Sequence, residues 1–319
     1  MDREVPIGAA LPGAAPGAGR VPVETRSTAY WLNRSFRWWS FLPAVFLMAV
    51  LTVYPMVNLI WMAGSTIEFT QGRDVWTFTP GRNFELLLSD RVLRPAFLNT
   101  LVFVVVSVAA ETVIGLALAL LVGKLTRGKG LVRTIMILPI LVPPVAIGSM
   151  WRLMYNYDFG IFNEIAMSLG FDPVNWLGST SLALMSVIIV DIWHWVPFVF
   201  LILFAAVEAL PVDVLEAARV DGATGWQALR HVILPLLRPA LMVAITFRSI
   251  LAFKAFDEVF LLTSGGPGTS TELISLHLYK VFFEQNQLGY GAMLSLAVIG
   301  ATVAFLLVSR QVLAWSTRA

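Results

Sequence analysis

The polar and apolar positions of this chain fall into long blocks, not into the short alternation of a half-buried sheet. A membrane-crossing helix needs about 20 apolar residues. Six runs reach that length: 41–62, 96–123, 134–155, 181–207, 236–262 and 290–308. The polar stretch 209–235 between the fourth and fifth runs is itself helix-forming. Pro211 and Asp213 suit a first helical turn, and Ala217 and Ala218 favour helix. Gly222 can take positive φ and end that helix, and Thr224 with Gln227 has the spacing of a capping box that opens another. The pattern predicts a helix, a glycine turn and a second helix on the membrane surface.

The remaining polar segments are simpler. Residues 1–28, rich in Gly, Ala and Pro, predict a disordered tail with no apolar core of a signal peptide. Loops 63–95, 156–180 and 263–289 fall together on the opposite side from 209–235. The last holds the turn Gly265-Gly266-Pro267-Gly268 and then an amphipathic run, Glu272 to Phe283, expected as a short surface helix. Pro139, Pro143, Pro144 and Pro197 are expected to kink their spans. Trp151, Arg152, Tyr155 and Tyr157 are expected as an aromatic and basic belt at the outer interface. The fold class expected is all-α, a six-span membrane protein over 29–319.

Composition supports this class and removes others. Of 319 residues 58% are hydrophobic and 13% charged, against about 25% charged in soluble domains. A net charge of +2 gives no field for nucleic acid, and with no cysteine there is no disulfide or thiol chemistry. His194, His231 and His277 are scattered, without partners at metal-ligand spacing. No phosphate-cradling Gly-Lys-Ser/Thr occurs, so the chain is not expected to hydrolyse ATP. If the N-terminus is cytoplasmic, the inner segments carry Arg3, Arg20, Arg26, Arg34, Arg37, Lys124, Arg127, Lys129, Arg133, Arg219, Arg230, Arg238, Arg310 and Arg318. The outer segments carry only Arg73, Arg82, Arg91, Arg94, Arg152 and Lys280. That bias sets both termini and the 209–235 loop inside.

Ionisable groups at membrane depth are costly and mark candidate sites. In the fourth span Asp191, His194 and Trp195 are spaced to share one helix face. Counted along straight helices, His194 lies level with Arg248 of the fifth span, and Asp191 level with Lys254. Two readings follow. Asp191 neutralises Lys254 or Arg248, or these groups line a substrate site with the faces of Trp193 and Trp195. Glu111 in the second span reads as a structural pair with a neighbouring helix.

Glu216-Ala217-Ala218, three residues, Gly222, nine residues and Val232-Ile233-Leu234-Pro235 resemble the EAA loop of ABC importer permeases, with Val232 where Ile is usual. Asp221-Gly222-Ala223, Phe256-Asp257 and Leu262-Thr263-Ser264-Gly265-Gly266-Pro267 resemble the carbohydrate branch, the maltose-type and glycerol-phosphate-type permeases. The resemblance covers roughly residues 40 to 315. It implies a type I importer permease of the bacterial inner membrane that carries a sugar or sugar derivative.

The resemblance also implies roles. Glu216, Ala217, Ala218 and Gly222 would dock on a separate ATPase dimer. That partner, not this chain, would bind ATP and Mg. Asp191, His194, Trp195 and Phe198, with Arg248, Ala252 and Ala255, fall where maltose-type permeases contact substrate. Ala252 and Ala255 depart from the polar residues usual there and Arg248 adds a cation, which suits a different, smaller or acidic substrate. A second permease chain, often a different one, and an extracytoplasmic solute-binding protein would complete the complex in the lipid bilayer. A proton- or ion-coupled secondary transporter is the alternative. A membrane enzyme lacks any assembled nucleophile or acid–base set.

Overall fold

The computed structural model describes residues 26–70 and 72–315. The tail expected over 1–28 lies, up to residue 25, outside the described residues. The chain divides into one unit that ends at Val57 and a second that begins at Asn58. The first holds most of α1 (Arg26–Ala63), which contains Pro43 and Pro55. Its side chains from Trp39 to Val57 are exposed.

The second unit opens with a two-stranded antiparallel ribbon, β1 (Ser65–Thr70) and β2 (Arg73–Phe78), in the register Ser65↔Phe78 to Thr70↔Arg73. The sequence expectation of an all-α chain is corrected here. Only six residues per strand carry the alternation, too few to stand out beside runs of twenty. A short helix α2 (Arg82–Ser89) follows, and Asn83 ties it back by donating to the carbonyls of Ala63 and Ser65 at 2.8 and 2.9 Å.

The core is built on α3 (Leu93–Gly123) and α7 (Ala183–Glu208). On α3 the buried residues Phe103, Ser107, Glu111, Gly115 and Ala119 recur every fourth position, one ridge of the helix. Gly115 sets the closeness of the pair: a Cβ there would lie 2.9 Å from Val199 Cγ1 and 3.1 Å from the Phe200 nitrogen. In a membrane, where lipid is as apolar as the side chains, such small residues let packing contacts form.

Two spans are broken. The third is α4 (Lys129–Leu141) and α5 (Pro144–Met154), bent 91° about Val142 and Pro143. Pro143 and Pro144 lack the N–H needed to continue the helix, so the expected kink is here a full break. A small helix α6 (Ile161–Ser168) packs nearby, and Asn163 locks its loop through Tyr157, Val174 and Trp176. Beyond α7 come α8 (Val212–Val220) and α9 (Gly225–Ala228). A π-turn at Leu229–Ile233 leads into α10 (Leu234–Phe253), which carries Pro235 near its start. The fifth span, expected to reach residue 262, stops at Phe253. It resumes as α11 (Asp257–Leu262), which packs against α5 and α7. The outer run expected from Glu272 is α12 (Ile274–Tyr279) with a π-turn over Lys280–Glu284, and α13 (Leu288–Trp315) ends the described chain. Among the described residues five helices are long and apolar enough to cross a membrane, six if α4 and α5 count as one span.

Trp151 and Tyr155 do not form an interfacial belt. Both are buried, 7% and 5% exposed, among Phe162, Trp176 and Trp193, with Trp151 and Trp193 ring centroids 5.6 Å apart. The bend between α4 and α5 turns them inward, which span counting on a straight helix could not foresee.

Candidate functional site

Two regions carry the unusual chemistry, one inside the helices and one at their end. Inside, Glu111 of α3, Asp191 of α7 and Arg248 of α10 meet, each 0% exposed. Arg248 Nε lies 2.6 Å from Glu111 Oε2, and its Nη2 donates to Glu111 Oε1 at 2.9 Å and also to Asp191 Oδ2. The planar guanidinium suits this paired donation. Its free face covers Trp195, with Cζ 5.0 Å from the ring centroid. One turn along α7, His194 Nδ1 lies 2.6 Å from Glu258 Oε1 of α11. An unpaired charge in this environment would be strongly unfavourable. The cluster is also the main polar joint between helices that are otherwise apolar.

The expected depth matching fails for a geometric reason. On a straight helix Glu258 would sit ten residues, about 15 Å, beyond Arg248. Arg248, still within α10, meets Asp191, and the break after Phe253 brings Glu258 back to α7 at His194. Lys254 is left at the break, exposed and without an ion pair among the described residues. Ala255 lies in the same break, and its carbonyl accepts from Ser275 Oγ. Ala252 is buried in the core beside Phe103 and Val259. Trp193 points into the aromatic cluster, away from Arg248, while Phe198 meets Trp195 edge-on at 5.9 Å. Glu258 was given no role in the sequence. An acid four residues from Lys254 in an apolar run was the available signal.

At the other end, α8 stops in a Schellman arrangement. Gly222 N–H donates to Arg219 O at 3.0 Å and Ala223 N–H to Ala218 O at 3.0 Å. Gly222 holds φ +76° with nothing within 4 Å of where a Cβ would stand. Thr224 and Gln227 form the reciprocal capping box, Thr224 N–H to Gln227 Oε1 at 2.8 Å and Gln227 N–H to Thr224 Oγ1 at 3.3 Å. Glu216 and Ala217 are exposed, and Ala218 is the one buried residue of α8. Val220 and Trp226 stand 86% and 67% exposed, large apolar groups left open on a polar segment. Among the described residues no group of three or more metal-ligating side chains occurs.

Residues 111–315 match the family model described as "Binding-protein-dependent transport system inner membrane component". The chain is 36% identical over 279 residues to the trehalose/maltose transport system permease protein MalF of Thermococcus litoralis, covering 84% of this chain and 92% of that one. It is 34% identical over 268 residues to the trehalose transport system permease protein SugA of Mycobacterium tuberculosis strain H37Rv, covering 83% of this chain and 85% of that one. Among solved structures, a bacterial ABC transporter that imports the acidic polysaccharide alginate has a chain of the same fold. Its TM-score is 0.74 at 21% identity, covering 89% of this chain and 95% of that one, in a complex with an alginate-bound periplasmic protein. The segment from Glu216 to Pro235 and the helices around Arg248 both lie inside the matched range, and the chain belongs to the family of binding-protein-dependent transport system inner membrane components.

Proposed function

We propose that this permease forms half of a pore that imports a sugar or sugar derivative, with six spans and both termini in the cytoplasm. The observation that carries the coupling half of this reading is the α8–α9 segment. It is a helix ended by an open glycine, with Glu216, Val220 and Trp226 exposed and Glu216 without an ion pair among the described residues. A short helix of this kind suits a groove on another protein, and Glu216 suits an arginine there. The partner is a separate ATPase dimer, which binds ATP and Mg and does the hydrolysis.

The sugar half rests on the named relatives and on the break in the fifth span. The accessible groups there, Trp195, Phe198, Lys254 and Ala255, contact the sugar. The buried Asp191, His194, Arg248 and Ala252 shape the wall behind them, and Trp193 braces that wall from the aromatic cluster. A second, different permease chain completes the pore and an extracytoplasmic solute-binding protein delivers the substrate.

The test is uptake by the reconstituted complex, with its binding protein, of labelled trehalose, maltose and an acidic sugar. Uptake that needs ATP and survives a proton uncoupler is expected. Uptake that survives ATP depletion and collapses with the uncoupler would replace this reading with a secondary transporter.

A further inference from the structure

The outer surface shared by α10 and α13 carries a groove of about 230 Å³ lined by Met242, Val243, Thr246, Phe247 and Arg310. Four of the five come from α10. Val243 and Phe247 are 47% and 56% exposed, and Val303 and Leu307 of α13, 50% and 56% exposed, continue the apolar surface. Arg310 is exposed and makes no hydrogen bond or ion pair among the described residues.

Its position along the helix matters. Arg310 lies 22 residues after Leu288, the first residue of α13, which is about 33 Å of helix. The hydrocarbon layer is about 30 Å thick. Arg310 therefore stands at the membrane boundary, at the end where α10 begins. A guanidinium keeps its charge in proteins. At this boundary a lone guanidinium attracts an anion, and the rest of the groove attracts hydrocarbon.

We propose that this groove binds one anionic phospholipid from the leaflet on the α8–α9 side. Its phosphate sits on Arg310 and an acyl chain lies along Met242, Val243 and Phe247. A free phosphate would leave the apolar lining unused, and a zwitterionic lipid would bring its own cation to Arg310. The lipid thus rests on the outer face of α10, the helix whose next residue, Arg248, joins the buried cluster. This makes the groove a lipid contact on the element that holds the polar joint in place.

The experiment uses the assembled importer in nanodiscs of equal phosphatidylglycerol and phosphatidylcholine, with retained lipids read by native mass spectrometry. The wild type retains phosphatidylglycerol over phosphatidylcholine. Arg310→Gln lowers that ratio about fivefold, the effect of one cation near a membrane surface, and Arg310→Lys keeps most of it. Met242→Trp fills the groove and lowers retention of both lipids with Arg310 in place. An unchanged ratio in Arg310→Gln, or displacement of phosphatidylglycerol by inorganic phosphate, overturns the proposal. So does a photoreactive analogue in place of Phe247 that captures a second permease chain instead of lipid. If Arg310→Gln fails to assemble, Met242→Trp decides: unchanged lipid retention there overturns the site.

Discussion

In the core, Glu111, Asp191 and Arg248 are fully buried and pair their charges with one another, leaving Asp191 Oδ1 without a hydrogen-bond partner among the described residues. In the α8–α9 segment, Glu216, Arg219 and Asp221 are exposed, and none of them forms an ion pair among the described residues. Asp191 and Arg248 flank that segment in sequence, yet the polar groups of the two regions differ in where the partner is. The charges of the core cluster are paired within the chain, so its chemistry holds the chain together. The α8–α9 segment ends its own helices well but leaves its charges and Trp226 open, the arrangement on which the proposed ATPase contact rests. Burial with a partner and exposure without one separate the two roles better than residue type does.

Five single substitutions test this contrast, the largest effect first. Arg248→Met leaves two carboxylates buried without a cation and should destabilise the chain by about 3–5 kcal/mol. The triple change Arg248→Met, Glu111→Gln and Asp191→Asn should recover most of that, read as complex yield and melting temperature. If Arg248→Met melts like the wild type, the cluster is not a structural joint. Gly222→Val forces a β-branched residue to φ +76°. It should lower uptake at least tenfold, as loss of an interface anchor does, while the melting temperature of the membrane part stays near wild type. Glu216→Lys should act in the same direction. Retained uptake and ATPase co-purification in both would place the coupling contact elsewhere.

Thr224→Ala removes the capping box and should weaken the start of α9 by about 1 kcal/mol, seen as faster amide exchange at Gly225–Ala228. Asp90, just before α3, gives the smallest effect. Burial raises its pKa, but hydrogen bonds from Tyr290 and His277 and from the Val92 N–H outweigh this and hold it below the usual carboxylate value. A depressed pKa means the contribution is present above the unfolded value, about 3.9, and is lost as pH falls through the lower folded one. Asp90→Asn should therefore lower the melting temperature slightly at pH 7, and the difference should fade below about pH 4. A difference that grows on acidification would reverse the assignment.

The two regions were also legible to different degrees. The α8–Gly222–α9 segment was readable to the residue, because caps, glycine turns and capping boxes are local signals that depend on neighbours within four positions. The core was readable only in part. Asp191, His194 and Arg248 stood out as ionisable groups in apolar runs, and Glu111 was read as a structural pair with a neighbouring helix. The Asp191–Arg248 pair stood as one of two alternatives, but the His194–Glu258 pair was not readable, because it depends on the break after Phe253, which carries no proline. Lys254, Ala255 and Phe256 give no helix-stopping signal. The break is held by tertiary contacts: Ser275 takes the Ala255 carbonyl and α5 receives α11. The ribbon β1–β2 was missed for a related reason, since its strands are short and sit where a loop of any kind would have served.

The contact between α5 and α11 bears on how the chain enters the membrane. Eleven residues give α5 a length of about 16 Å, about half the hydrocarbon thickness. Its sharply bent start would leave backbone groups open to lipid. Its cover, Asp257–Leu262, is made more than a hundred residues later. Until that segment is made, those groups lack its cover, and the polar joint of α3, α7 and α10 likewise needs α10, made more than a hundred residues after α3.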